Sequence, residues 1–554
     1  MSMRRARAFV AAFALLLAAC DPAAPASTGE LADARSSASR TDGAAEAGGT
    51  LRWAVREPAA VVPAGAVDDA SLLIVDTLFD SLTALALDGT VRPRAAVRWT
   101  PSDGGRRWQF TLRRGARYHD GTPVRARDFV RSWSLTVAQG HTGAHLEEVV
   151  GYRDVREGRA SQLAGVRALD RRTLEVQLRR PHMGFPTVAA HPTLAPVPAA
   201  AASARDRYAK QPIGNGPYRM SEPLTTGQFI RVKRDDEWHN GPRDRSDDRV
   251  REVLFRIIDA DAAYVAFQQG RIDVSQLPAG ALDQALRTYG PADGSGGPGV
   301  VDAPRPSLYF LGLRVDRAPL DDVEVRRALS LAIDRRALVD DQGDLALDPA
   351  RGIMPPVLPR GDELVCATCL HLPSLAAAAF ARAGVNKMTL TIDADGGHEQ
   401  VAERIRADLA AVGVDLVVRV LPFEEYLAEV ESGAAELYRF GWQASRPTAG
   451  AMLEAIVRSG PPEERGDGAN YGGYASDTVD ALLDRARRAE AEERRDRLWA
   501  RAEQRALDDQ AIIPLFSFRQ RIVISDRVAG LVVTPWGTAT PERASIVAGP
   551  DIAP

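Results

Sequence analysis

The sequence predicts an α/β protein built on a parallel or mixed sheet, and three features carry that prediction. Strands and helices of similar length alternate through residues 388 to 442. A period-two apolar strand precedes that stretch and a short apolar strand follows it. Between them lie helices with one apolar face.

The elements follow in chain order. Trp108, Phe110 and Leu112 alternate with Gln109, Thr111 and Arg113, a half-buried strand that ends at the Gly115 turn. After the turn His119-Asp120-Gly121-Thr122-Pro123, residues Asp128 to Val137 repeat their apolar positions at helical spacing. Asp321 and Asp322 cap a helix whose apolar face is Val325, Ala328, Leu329, Ala332 and Ile333, a face most simply read as core. Met388 to Ile392 reads as a strand, Glu399 to Val412 as a helix stopped by Gly413, and Val414 to Leu421 as a strand with Leu416, Val418 and Val420 on one face. A helix from Glu424 to Ser432 stops at Gly433, and Glu436 to Trp442 is a further strand. Open sheets of this type bind ligands beyond the carboxyl ends of their strands, which makes Gly441-Trp442-Gln443 a candidate pocket edge. Two helices fill Ser476 to Asp508, and Ile512 to Phe516 returns as a strand.

Composition bounds the function. The chain has 554 residues, 45% hydrophobic, 26% charged and 6% aromatic, with 70 basic residues against 74 acidic ones. At roughly 150 residues per domain that is three to four domain-sized units, so disorder of the whole is excluded. A net charge of -4 gives no bulk argument for nucleic-acid binding. The positive charge is almost entirely arginine, the lysines being Lys210, Lys233 and Lys387.

At the amino terminus Arg4, Arg5 and Arg7 precede an apolar run from Ala8 to Ala19 and then Cys20, a secretion signal too short for an ordinary membrane span. Leu17-Ala18-Ala19-Cys20 resembles the lipobox of bacterial lipoproteins, whose cysteine is acylated; the alternative is a plain signal peptide with an incidental cysteine. Residues 20 to 49 have almost no large apolar side chain and read as a tether of roughly 30 Å root-mean-square length. No later segment is apolar enough to span a membrane.

Motifs for chemistry are sparse. There is no Gly-x-Ser-x-Gly elbow, no phosphate loop and no His-Glu-x-x-His. His141 and His145, spaced i, i+4 with Glu147 and Glu148 beyond, offer a weak metal reading against solvated loop histidines. Cys366 and Cys369 form a C-x-x-C pair without the adjacent histidine of haem attachment or a second pair for zinc; in an exported chain a local disulfide is the simpler reading. No cofactor is expected.

A series of further stretches, in order, resembles one family: Leu78-Phe79-Asp80-Ser81-Leu82, Trp108 to Gly115, His119 to Val124, Asp128-Phe129-Val130 with Ser132-Trp133, Pro212-Ile213-Gly214-Asn215-Gly216-Pro217-Tyr218, and Phe267 to Asp273. Val325 to Leu329, Ala332-Ile333-Asp334-Arg335, Gly441-Trp442, Asn470 to Tyr474 and Ile513-Pro514-Leu515 follow. On these the chain resembles the oligopeptide- and dipeptide-binding proteins of bacterial ABC importers, the extracellular solute-binding proteins of family 5 or cluster C, over nearly the whole mature chain. The resemblance implies a two-lobe periplasmic-binding-protein-like (class II) fold with an extra domain inserted in the first lobe. It places a signal peptide at 1–19, the lipid-anchored tether at 20–49, lobe one at 50–76, 205–300 and 512–554, the extra domain at 77–204 and lobe two at 301–511.

It also implies a function without chemistry: capture of a peptide or peptide-like solute in the interlobe cleft by hinge closure, and delivery to an ABC permease and its ATPase subunits. The expected protein is a monomer held to a bacterial membrane by a lipid only. The alternative is a sensor or structural lipoprotein on the same fold, or a binder of a non-peptide ligand. Ligand contacts are expected at Gly441, Trp442 and Gln443. The family's amine-binding aspartate, three beyond the tryptophan, is Ser445 here, and Arg446 stands where many relatives carry an aromatic. Arg439 matches a position that is basic and near the ligand carboxylate in some relatives, and His145 falls roughly where an aromatic lines the pocket. For Arg439 and Arg446 the alternative is plain surface charge.

Overall fold

The computed structural model describes residues 48–139, 143–199, 201, 205–224, 227–240, 249–292, 297–343, 347–363, 365–394, 396–444, 446, 448–460, 468–534 and 536–547. The signal sequence, Cys20, most of the tether, His141 and Ser445 lie outside these residues. Among the described residues no helix is long and apolar enough to cross a membrane.

The spine is a mixed sheet whose main path runs Asp415–Leu421, Lys387–Asp393, Leu437–Gln443, Ser307–Leu313, Ile512–Ile524, Val274–Gln276, Thr50–Val55, Glu252–Ile257, Phe229–Arg234 and Tyr218–Met220. Its first three strands are parallel, as the strand and helix alternation requires, and Ser307–Leu313 joins them antiparallel. The helices His398–Ala411 and Phe423–Ser432 connect them, ended by Gly413 and Gly433 at φ 83° and 73°. The strand Asp415–Leu421 lies at the edge of the sheet. Leu416 is buried there, but Val420 is 45% exposed, so the predicted Leu416-Val418-Val420 face is covered only at its start.

The thirteen-residue strand Ile512–Ile524 belongs to both halves. Its first part pairs with Ser307–Leu313 and Leu347–Pro349, and its second part with Val274–Gln276 and Gly299–Pro304. The first part of this strand, beyond the boundary expected at 511/512, thus pairs with strands of the expected lobe two. The two crossings run side by side at Arg305–Pro306 and Phe518–Arg519, where Arg305 donates its backbone N–H to the Phe518 carbonyl (2.8 Å). The periodicity marked the start of this strand but not its continuation, because both parts read as ordinary apolar strand.

An antiparallel sheet of Ala96–Ser102, Arg107–Leu112, Thr173–Gln177 and Val166–Ala168 stands apart from the spine. With the helix Ala126–Gln139 it encloses its own core of Trp108, Phe110, Phe129, Trp133 and Phe185. The predicted caps and faces have physical partners: Asp322 accepts the Glu324 N–H (2.8 Å), and Val325, Ala328, Leu329, Ala332 and Ile333 are all buried.

Several motifs prove to be joints between distant segments. Asn215 exchanges hydrogen bonds with the backbone of Asp80, and a Cβ at Gly216 would sit 2.6 Å from the Leu78 carbonyl carbon. Asp273 is fully buried and takes the backbone N–H and guanidinium of Arg52. Arg335 is 3% exposed and reaches the carbonyls of Pro514, Ser330 and Cys369, with burial pulling its pKa down to about 9. Cys366 and Cys369 are joined by a disulfide.

Candidate functional site

The strand Leu437–Gln443 delivers its carboxyl end to the crossing. Gly441 pairs with Tyr309 and Gln443 with Ser307, and the next residue, Ala444, donates its N–H to the Pro306 carbonyl (2.7 Å). Trp442 is half-buried, its indole N–H bound to the Ala451 carbonyl (3.0 Å). The pocket edge expected from strand logic thus abuts the Arg305–Pro306 crossing.

Arg439, two residues before Gly441, is 1% exposed, which excludes surface charge. Its Nε donates to Asp393 at 2.5 Å, and its guanidinium lies over the Tyr426 ring, 5.5 Å from the centroid. Around this pair, Tyr309 contacts His398 Nδ1 (3.1 Å) and Tyr426 donates its hydroxyl to the Arg439 carbonyl. Burial, aided by the Arg439 charge, drives the His398 pKa down to about 2, so this ring is neutral. In this conformation Arg439 is an internal ion-pair partner; its place near a ligand carboxylate remains an inference from the resemblance.

Arg446 is brought together with His145. Both are half-buried, and the ring centroids of His145 and His191 lie 3.9 Å apart with the planes tilted by 38°. Burial lowers both imidazole pKa values, His191 to about 3, and the nearby Arg446 charge pushes in the same direction. Burial also lowers the pKa of Arg446 itself, against the pull of Glu148, Glu454 and Glu147. Glu148 is held on one side by His182 Nδ1 (2.8 Å) and on the other by Arg487, which also grips Glu454. Burial raises the pKa of Glu148, but Arg487 and His182 outweigh it and hold the carboxylate below its usual range. The Met183 backbone N–H reaches the Arg487 carbonyl (2.9 Å), so the inserted region and lobe two meet here.

His191, Arg487 and Glu454 were missed in the sequence because no motif marks them and their contacts join segments far apart in the chain. Glu148 was noticed only as a weak metal ligand. Among the described residues no group of three His, Cys, Asp or Glu could hold a metal ion.

Residues 90–463 match the model of the bacterial extracellular solute-binding proteins, family 5 (Middle). The chain belongs to this family. It is 27% identical to the probable deoxycholate-binding periplasmic protein YgiS of Escherichia coli, covering 83% of this chain and 86% of that protein. It is 25% identical to the dipeptide-binding protein DppE of Bacillus subtilis, with coverages of 87% and 89%. Among solved structures, the unliganded open form of the periplasmic murein tripeptide-binding protein MppA superposes with a TM-score of 0.75 at 23% identity, covering 92% of this chain and 99% of that one. The family 5 fold of two lobes with mixed α/β content is the one described above.

Proposed function

We propose that this family 5 protein captures a small solute, a peptide or peptide-like molecule, between its lobes and passes it to an ABC permease driven by ATPase subunits, performing no chemistry itself. The observation that carries the reading is the bond from Ala444 to Pro306. It seats the candidate pocket edge on the crossing, so a ligand gripped at Gly441 to Ala444 acts directly on hinge closure. The ligands for which the relatives are named, a dipeptide and deoxycholate, fit capture of small solutes. In this reading the protein is a monomer, exported and tethered through acylated Cys20. Serine at position 445 makes the ligand's free amine a poor anchor, since serine offers no charge.

Small-angle X-ray scattering of the mature protein tests the reading. Adding the small-molecule fraction of a bacterial extract is expected to reduce the radius of gyration as the lobes close. An unchanged radius in the presence of a bound solute would contradict capture by closure.

A further inference from the structure

A cavity of about 1030 Å³ opens between the inserted region and the first lobe. It is walled by residues 84–94 and 187–192, by Trp238, Asn240 and Arg249, and by the carboxyl-terminal stretch from Val532 to Arg543. Trp536 on this wall also packs against the core of lobe two. Neither its position nor its lining was legible in the sequence.

Its chemistry is one-sided. Buried polar atoms are almost always hydrogen-bonded, so unpaired ones point to an absent partner. Here Trp536 Nε1 and Arg249 Nε are buried with no hydrogen-bond partner among the described residues, and both are donors. His191, also on the wall, accepts the Thr193 backbone N–H at Nδ1 (3.4 Å). This network assigns the proton of the neutral ring to Nε2, a further donor. From lobe two Arg446 acts electrostatically on His191, and its own Nε is again buried with no hydrogen-bond partner among the described residues.

Charge agrees with the donor count. The lining holds Arg92, Arg94, Arg249 and Arg543 against Asp76, Asp88 and Glu542. Arg94 is taken up by Asp76 and Asp80, while burial, opposed by Arg94, raises Glu542 to about 7. Three arginines thus face one exposed aspartate and a carboxyl that is partly neutral near pH 7. Nearer Arg446, the carboxylates of Glu148 and Glu454 are already satisfied by Arg487, which leaves Glu147 as the remaining acidic group acting on it.

We infer that the captured solute carries an anionic acceptor, a carboxylate, received at this cavity beside His191, with Arg249 and Trp536 as donors from its wall and Arg446 as the cation supplied by lobe two. The inference rests on the capture reading above and names the chemical class of its ligand. An acceptor-only group fills the unpaired donors, whereas an ammonium would meet arginines and N–H groups. Closure then gains a specific contact, because Arg446 and His191 come from opposite sides of the cleft.

The test exchanges the purified mature protein against a defined pool and reads bound species by native mass spectrometry. The pool holds N-acetylated, C-terminally amidated tripeptides that differ only in Glu, Gln or Lys at one position, with deoxycholate as a separate arm to distinguish a peptide from a steroid source of the carboxylate. Glu-containing members or deoxycholate are expected to be retained about tenfold or more over the neutral and cationic members. Arg446→Gln should abolish that preference, and Arg446→Lys should keep part of it. Should Arg446→Gln fail to fold, Trp536→Phe, which keeps the ring and removes the N–H, is expected to weaken retention of the acid. Equal retention of Glu, Gln and Lys members, a preference for Lys, or an acid preference indifferent to Arg446→Gln and Trp536→Phe would overturn the inference and leave capture standing. Retention of nothing from either arm would overturn capture and the inference with it.

Discussion

Arg487 of lobe two is ion-paired with Glu148 of the inserted region, and the same guanidinium binds Glu454 on its own lobe. The side chains of the three residues are 9%, 14% and 15% exposed, so the cluster sits well inside the junction. One cation therefore balances two buried carboxylates drawn from opposite sides of the cleft. The pair links the inserted region to the lobe that carries Arg446.

Removing that cation leaves both carboxylates without their shared partner. Arg487→Ala is expected to lower the unfolding free energy by roughly 3 to 5 kcal/mol, the usual cost of breaking a buried pair from one side. Adding Glu148→Gln and Glu454→Gln should recover part of that loss. Urea denaturation of the single and triple variants measures both effects, and a single variant as stable as the parent would show that the cluster is electrostatically slack.

Among the described residues Arg335 has no carboxylate in a salt bridge with it and is held by carbonyls from three segments. Arg335→Leu should cost roughly 2 to 4 kcal/mol, because the Pro514, Ser330 and Cys369 carbonyls lose their donor together. Arg335→Lys should recover little, since one ammonium cannot reproduce the planar fork. Thermal melting of the two variants beside the parent checks the order.

Acid should destabilise the fold through its neutral histidines. The pKa of His191 is lowered to about 3 and that of His398 to about 2 by burial, against 6.5 in the unfolded chain. As the pH falls below about 6.5 the unfolded chain takes up these protons first, so stability drops with falling pH. Glu503 works in the opposite sense: burial, opposed by the Met354 and Ile353 N–H groups, raises it from 4.5 to about 7, and stability declines as pH rises through that window. His398→Gln is expected to flatten the acid limb of a melting-temperature profile, and Glu503→Gln the limb between about pH 4.5 and about pH 7. Profiles identical to the parent's would show that these groups titrate as they do in water.

The Cys366–Cys369 disulfide closes a very short loop. Replacing both cysteines by serine should cost only about 2 kcal/mol. Solute retention by native mass spectrometry should be unchanged, and a variant that folds normally but retains no solute would give this loop a role in binding.

Local pattern made much of the architecture legible. The alternation of Trp108, Phe110 and Leu112, the Asp322 cap and the stops at Gly413 and Gly433 all depend on neighbours within a few residues, and the chain shows them directly. The family motifs were visible as strings, but their physics was not. Nothing near Asn215 announces that it will bind the backbone of Asp80, or that Arg335 will hold Pro514. The double membership of Ile512–Ile524 was hidden because both parts carry the same apolar signal. His145 and Arg446 were proposed from their positions along the chain, whereas His191 and Arg487 gain meaning only when the fold sets one against the His145 ring and the other between two glutamates.

The most direct measurement of the central claim is native mass spectrometry of the mature protein exposed to the small-molecule fraction of a bacterial extract. Capture in a closing cleft predicts one stoichiometric small-molecule adduct, lost on denaturation and diminished in Arg446→Gln. A bare chain mass in every preparation would contradict solute capture.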